Sequence, residues 1–263
     1  MADKCVKGVI WRASCCCHFV AFRHHLSRFL ASLLWIGAAA TIPIGAAQAR
    51  DFGESLVKIR VAAADGSRSL GTGVVIASNV VATACHVIRD AEVIEVIHGR
   101  EQRRASIESG SLVHDLCLIR VPGLDLPAVP IRASETLRVG ERVVAVGYPA
   151  GDDLTARDGV VDGLYRYDGG DVIRTSSTFD AGESGGGLFD EEGALVGFLA
   201  FKARSGARLH FALPADWALP GSMVGSLLGP IDVTKDRVAF WQQPRASQPA
   251  FLGHAILEAA SQP

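Results

Sequence analysis

The sequence is poor in features that would suggest a cofactor site, a nucleic-acid partner or a disulfide-rich fold. Four of its six cysteines lie in the first 17 residues, and the remaining two are too few for a disulfide framework and form no CxxC pair. There is no internal repeat and no long low-complexity tract. Five of the 26 basic and one of the 28 acidic residues precede residue 50, which leaves 21 and 27 and a formal charge of −6 after that point. This acidity argues against nucleic acid or an anionic membrane as the partner, and we expect neither a metal ion nor a cofactor.

The first 49 residues have the pattern of a secretory signal peptide. Arg23 and Arg28 precede an uncharged apolar run at residues 29–47, which leads into the small-x-small sequence AQA. The pattern predicts cleavage after Ala49 and a periplasmic or secreted bacterial protein that has no membrane contact afterwards. The apolar run is longer than usual, so a membrane anchor over residues 29–47 is the alternative.

Short β-type runs divided by turn residues make up most of the remaining chain. Prolines at 122, 127 and 130 separate them into two groups of six, and no long helical pattern interrupts either group. This arrangement predicts an all-β fold of two six-stranded antiparallel barrels, at about residues 55–122 and 140–214. Residues 250–260 have a helical composition, while the tail as a whole, 221–263, has no functional interpretation. The predicted strands are Val57–Ala64, Gly71–Ala77, Val80–Ala84, Glu92–His98, Arg103–Glu108, Leu116–Val121, Glu141–Tyr148, Gly159–Tyr167, Asp171–Ser176, Gly186–Phe189, Ala194–Lys202 and Arg208–Leu213.

The sequence GESGGG at residues 182–187 places four glycines around Ser184. Glycine is costly to order, so the stretch indicates either a sharply bent backbone around a nucleophile or a plain surface loop. A serine nucleophile needs a base, and His86 has the best context because it follows the apolar run 80–85 at the end of a predicted strand. Asp115 heads another apolar run, where a buried carboxylate requires a partner such as a histidine N–H.

Three motifs in this order resemble those of the trypsin-like serine proteases. TGVVI and ATACH, ending at His86, resemble the histidine region of that family; HDLCLI, which contains Asp115, resembles its aspartate motif; GESGG resembles its serine motif. The sequence LHFALP at residues 209–214 is most similar to the bacterial HtrA/Deg-type branch, although we expect no room for a PDZ domain. The resemblance covers about residues 55–217 and implies a chymotrypsin-like protease domain at 50–220 that acts on proteins or peptides, in an oligomeric state left open.

The resemblance also implies roles for the motif residues. Ser184 would attack the substrate carbonyl, His86 would transfer the proton and Asp115 would orient the imidazole. The backbone N–H groups of Gly182 and Ser184 would form the oxyanion hole.

Five further residues are implied to bind the substrate. Thr178 and its neighbour Phe179 would lie at the base of the pocket for the cleaved residue, with Ala200, Phe201 and Lys202 along its wall. This pocket contains no carboxylate and is narrowed by Lys202, so the resemblance implies cleavage after small aliphatic residues.

Two departures from the family pattern and two rival functions remain open. Glu183 replaces the usual aspartate or asparagine, and would either disturb the oxyanion loop or be solvated and harmless. Cys85 and Cys117 would form a disulfide or remain buried thiols. One rival function is a catalytically inactive protease fold that serves as a binding module. The other, an α/β-hydrolase esterase, needs a strand, a turn and a helix around Ser184 and the histidine last in the chain order.

Overall fold

A computed structural model describes residues 52–205, 207–231 and 238–260. The predicted signal peptide and the alternative membrane anchor lie outside these residues. Within the described residues, no helix combines the length and the apolar character needed to span a membrane.

Strands dominate the described chain. They are β1 Leu56–Ala63, β2 Arg68–Ala77, β3 Val80–Ala84, β4 Ala91–His98, β5 Glu101–Ser111, β6 Leu116–Arg120, β7 Arg142–Gly147, β8 Thr155–Tyr167, β9 Gly170–Thr175, β10 Gly187–Phe189, β11 Leu195–Ser205 and β12 Ala207–Pro214. Two α-helices accompany them, α1 Cys85–Ile88 and α2 Ala250–Ala260. Short 3₁₀ turns occupy Ser134–Thr136, Pro149–Gly151, Ala215–Ala218, Gly225–Leu227, Phe240–Gln242 and Arg245–Ser247.

The strands close into two antiparallel barrels, in the orders β1-β2-β3-β6-β5-β4 and β10-β11-β12-β9-β8-β7. The predicted fold of two six-stranded barrels with a short C-terminal helix is therefore confirmed. Side-chain alternation explains the closure, because strands with one apolar face must wrap that face around a core. In β1, for example, Val57, Ile59 and Val61 are buried in the first core, while Arg60 between them is exposed.

The observed strands are longer than predicted where polar residues join the ladder. β5 extends from Glu101 to Ser111 because its polar first residues pair with β4 and its last residues with β6. β8 begins at Thr155 because that residue pairs with Gly147 of β7. Hydrophobic alternation could not reveal these extensions, since the extra residues carry little apolar pattern.

The chain after β12 returns to the second barrel and packs on it. Phe240 and, in α2, Leu252 and Ala255 are buried in the core cluster that includes Phe201 and Phe211 of the barrel. The predicted helical segment is therefore α2, and its apolar face is covered by the barrel.

Candidate active site

His86 and Asp115 meet in the first barrel, at the ends of neighbouring strands. His86 lies in α1, directly after β3, and Asp115 directly precedes β6, which pairs with β3. The Asp115 carboxylate accepts two hydrogen bonds from His86: Oδ2 lies 2.6 Å from imidazole Nδ1, and Oδ1 lies 2.8 Å from the backbone nitrogen. Because a carboxylate can only accept, Nδ1 carries the proton and Nε2 is left with a lone pair. This arrangement suits His86 to act as a base.

Asp115 is held in an unusual backbone conformation. Its φ is +53°, in a region that side-chain-bearing residues seldom adopt, and the side chain is almost completely buried. Its carbonyl oxygen accepts a hydrogen bond from the N–H of Cys85 at 3.2 Å. The backbone of Asp115 is therefore held against α1 in addition to its carboxylate.

The environment of His86 raises the pKa of its imidazole. Burial alone would lower this pKa, but the hydrogen bond that His86 donates to Asp115 and the negative charge of that carboxylate together outweigh burial. The side chain remains 26% exposed, so the ring is accessible from one side.

Ser184 lies on a loop of the second barrel that approaches the first. Its carbonyl oxygen accepts a hydrogen bond from the N–H of Thr72 in β2 at 2.9 Å. A Cβ atom on Gly185 would lie 2.4 Å from the Thr72 carbonyl oxygen and 2.7 Å from the Ala84 nitrogen. Only glycine fits there, and the loop backbone therefore lies against the end of β3, two residues before His86.

Glycine is also required at 182. This residue has a φ of +94°, and a Cβ atom would lie 2.5 Å from the Ala150 nitrogen. Among the described residues, the N–H groups of Glu183, Gly185 and Gly186 donate to carbonyl oxygens, whereas those of Gly182 and Ser184 donate to none. Two backbone donors of this loop thus have no backbone acceptor among the described residues.

Buried threonine hydroxyls link the two barrels beneath this loop. Thr72 Oγ1 donates to the Gly182 carbonyl oxygen at 2.8 Å and accepts from the N–H of Tyr148 at 3.0 Å. Thr83 Oγ1 in turn donates to the Thr72 carbonyl oxygen at 2.8 Å. All of these groups are buried, so the network holds the Ser184 loop in one position relative to β2 and β3.

Glu183 neither disturbs the loop nor lies in solvent, so both expectations for it are wrong. Its side chain is fully buried, and both carboxylate oxygens lie 2.7 Å from Nη1 of Arg157 in β8. Thr155 Oγ1 and the N–H of Asp180 donate further hydrogen bonds to it, at 3.1 and 2.7 Å. This buried ion pair fastens the Ser184 loop to β8.

Cys85 and Cys117 form a disulfide, which decides between the two alternatives left open by the sequence. The bond joins the residue before His86 to the residue two positions after Asp115. It therefore fixes α1 to β6 directly behind the histidine–aspartate pair.

A second histidine fastens the loop that precedes Asp115. His114 is buried; its Nε2–H donates to Asp168 of the β8–β9 turn at 2.8 Å, and its Nδ1 lies 2.7 Å from Ser111 Oγ. This bridge connects the aspartate loop of the first barrel to the second barrel.

The five predicted substrate-binding residues fall into two sets. Thr178 and Lys202 are exposed. Lys202 Nζ lies 3.1 Å from Oδ1 of Asp180. Ala200 and Phe201 are buried on β11, and Phe179 is buried in the second core, where its ring packs against His210. Its side chain lines the barrel interior, and its N–H donates to His210 Nδ1 at 3.2 Å.

Sequence reasoning missed the residues that hold this site together. Thr72 and Thr83 are ordinary strand residues by pattern, and Arg157 lies in an extension of β8 that alternation did not reveal. Trp241, in the tail, packs edge-on to the His86 ring with centroids 5.8 Å apart. A buried Glu183 would have signalled a cationic partner, but no sequence pattern identifies which one.

The double barrel, with His86 and Asp115 on the first half and Ser184 on the second, is similar in arrangement to a trypsin-like peptidase domain. Residues 71–198 match the family model for the trypsin-like peptidase domain. The chain is therefore similar to this family over these residues, and the esterase alternative is excluded because Ser184 is followed by β10 rather than by a helix.

Within this class the relatives are HtrA/DegP-like serine endoproteases. The chain is 36% identical over 162 residues to a probable periplasmic DegP-like serine endoprotease of Pseudomonas putida (58% of this chain, 34% of that protein). It is 31% identical over 161 residues to one of Halomonas elongata, with the same coverage. It thus spans about one third of the length of these curated relatives.

The similar solved structures are also proteases. A protease of M. tuberculosis in its active form superposes with a TM-score of 0.62 at 28% identity, over 71% of this chain and 87% of that one. The serine endoprotease of Yersinia pestis superposes with a TM-score of 0.60 at 26% identity, over 67% and 65% of the two chains.

Proposed function

We propose that this protein is a serine endopeptidase in which Ser184 is the nucleophile, His86 the general base and Asp115 the orienting acid. The observation that carries the proposal is the pair of hydrogen bonds that the buried Asp115 carboxylate accepts from His86. These hydrogen bonds leave the lone pair of Nε2 directed away from Asp115 and available for a serine proton.

The chemistry follows from these positions. As Ser184 Oγ attacks the peptide carbonyl carbon, its proton passes to His86 Nε2, and the carbonyl oxygen takes up the negative charge. The N–H groups of Gly182 and Ser184 would stabilise that oxyanion. The imidazolium then gives its proton to the leaving amine, and water hydrolyses the acyl-enzyme by the same steps in reverse order.

The surroundings of Lys202 support a preference for small aliphatic residues at the cleaved position. Asp180 lies near the pocket, but its charge is paired with Lys202 and does not attract an arginine or lysine substrate side chain. A Lys202 side chain held by Asp180 also narrows the entrance. We expect the preference to be graded, because one buried methylene contributes only about 1–3 kcal/mol to discrimination.

The proposed location is the periplasm, after cleavage that leaves Arg50 as the first residue. The matched relatives are named periplasmic proteases, and the Cys85–Cys117 disulfide suits an oxidising compartment.

A fluorophosphonate probe tests the catalytic assignment. We expect it to label the purified protein at Ser184, identified by peptide mass spectrometry, and to leave Ser184→Ala unlabelled. Ser226→Ala is the matched control, because Ser226 is an exposed serine in the turn Gly225–Leu227, and it should label like the wild type. A folded wild-type protein that takes up no probe would contradict the proposal and favour the inactive binding module.

A further inference from the structure

The tail after the second barrel reaches the candidate active site. The N–H of Phe240 donates a hydrogen bond to the carbonyl oxygen of Val113, in the short β5–β6 loop that also carries Asp115, at 2.8 Å. The ring of Phe240 is buried and packs 4.8 Å from that of Tyr167 in the second barrel. The tail therefore connects both barrels beside the histidine–aspartate pair, although the family match ends at residue 198.

Trp241 continues a column of aromatic rings that runs from Phe211 and Phe201 of the second barrel to His86. Phe201 is stacked on one face by Phe211, with centroids 4.8 Å apart, and on the other by Trp241, 5.0 Å apart, with both pairs 10° from parallel. The Trp241 ring then meets the His86 imidazole nearly at a right angle. Trp241 thus fills the space between His86 and β11.

The tail is a built part of the fold at this point. Gln248 Nε2 donates to the carbonyl oxygens of Trp241 and Gln243, at 3.0 and 2.8 Å, and closes the backbone turn that presents the indole ring. Trp241 itself is half-buried, so one part of the ring remains in contact with the surface. Its Nε1–H is buried and has no acceptor among the described residues. Apolar stacking, rather than a polar contact, therefore holds the indole in place.

The position of Trp241 relative to a substrate follows from strand geometry and rests on the proposed function. A substrate that lies along residues 200–202 in an extended conformation points successive side chains to opposite sides. If the side chain of the cleaved residue enters the pocket near Thr178, the preceding side chain points away from that pocket, towards His86. There it meets the indole ring.

We propose that Trp241 forms the wall of the subsite for the residue before the cleaved one, and that it restricts this position to small side chains. The tail is thereby a specificity-determining part of the cleft. Trp241→Ala should enlarge the subsite, whereas Trp241→Phe should keep most of the wall and also remove the unpaired N–H.

Peptides that differ only at the residue before the cleaved one provide the test. In the wild type we expect kcat/KM to be about tenfold higher for alanine than for phenylalanine at this position, and Trp241→Ala should abolish that ratio. Trp241→Phe should keep the ratio within about threefold of the wild type. Leu257→Ala is the control, because Leu257 is an exposed residue of the same tail on α2, and its profile should match the wild type.

The fluorophosphonate probe separates failure of this proposal from failure of the proposed function. A wild type that takes up no probe contradicts the proposed function itself. If the wild type is labelled, three results would overturn the proposal that Trp241 forms the subsite wall. These are an unchanged ratio of kcat/KM values in Trp241→Ala, an equal rise in kcat/KM for all peptides, and loss of labelling in a folded Trp241→Ala. An equal rise in kcat/KM would indicate that the tail blocks the cleft for all substrates. Lost labelling would indicate that Trp241 positions the His86 imidazole. If Trp241→Ala does not fold, Trp241→Leu tests the same expectation, because it also shortens the wall and should reduce the kcat/KM ratio.

Discussion

At the scale of single residues, the His86 imidazole is controlled by two opposing effects. Burial favours its neutral form, and Asp115 favours its charged form more strongly, so that the pKa is raised. Only the neutral imidazole can accept the Ser184 proton. Activity should therefore rise with pH through a value above the ordinary histidine pKa of about 6.5.

Asp115→Asn tests this balance directly. Removing the charge leaves burial as the main influence, so the His86 pKa should fall below its ordinary value. Two-dimensional NMR of the histidine ring signals measures this pKa even when turnover is lost, and kcat should drop by several orders of magnitude. His254→Ala removes an exposed histidine and serves as the control for signal assignment. A His86 pKa that stays the same in Asp115→Asn would contradict the account.

The same residues show how far the sequence could be interpreted. His86, Asp115 and Ser184 could be selected because each combines a reactive side chain with a strand end or a glycine-rich turn. The environment of Glu183 could not be predicted, because burial of a charge depends on a partner 26 positions away. Trp241 could not be selected either, since its neighbours are contributed by elements that are distant in the chain.

At the scale of elements, the Ser184 loop depends on an ion pair with β8. Arg157→Ala would leave the Glu183 carboxylate buried and without its cation, and should lower the free energy of unfolding by roughly 3 kcal/mol. The loop should also lose its fixed position, so probe labelling at Ser184 should slow. Urea denaturation and labelling rates measure the two effects.

Arg142→Ala is the matched control for that variant. Arg142 lies on β7 and pairs with Glu191, and both side chains are about half exposed. Its removal should change the free energy of unfolding by less than about 0.5 kcal/mol and leave labelling unchanged. Equal effects of the two variants would show that the buried pair has no special role.

The strands themselves were largely predictable, while their ends were not. Apolar alternation located both groups of six because each strand buries one face in a barrel. The polar first residues of β5 and β8 join the sheet through backbone hydrogen bonds to β4 and β7. These hydrogen bonds are independent of side-chain type. A prediction from side chains therefore ends too early at these positions.

At the scale of the whole molecule, the Cys85–Cys117 disulfide closes a segment with a sequence separation of 32. Constraining a loop of this size in the unfolded chain should stabilise the protein by about 2–4 kcal/mol. The double variant Cys85→Ala/Cys117→Ala should melt at a lower temperature by a corresponding amount. A reducing agent should lower the Tm of the wild type and leave that of the double variant unchanged. A wild-type Tm that resists complete reduction, verified by thiol counting, would contradict this expectation.

The contact between Phe240 and Val113 has a consequence for the order of events in biosynthesis. Residues 238–241 follow both barrels in the chain, so the ribosome completes them after the histidine, aspartate and serine segments. A nascent chain with both barrels emerged would still lack the side of the cleft next to His86. Selectivity of the proposed protease would then be acquired only at the end of synthesis, when the tail reaches the loop of the barrel that was made first.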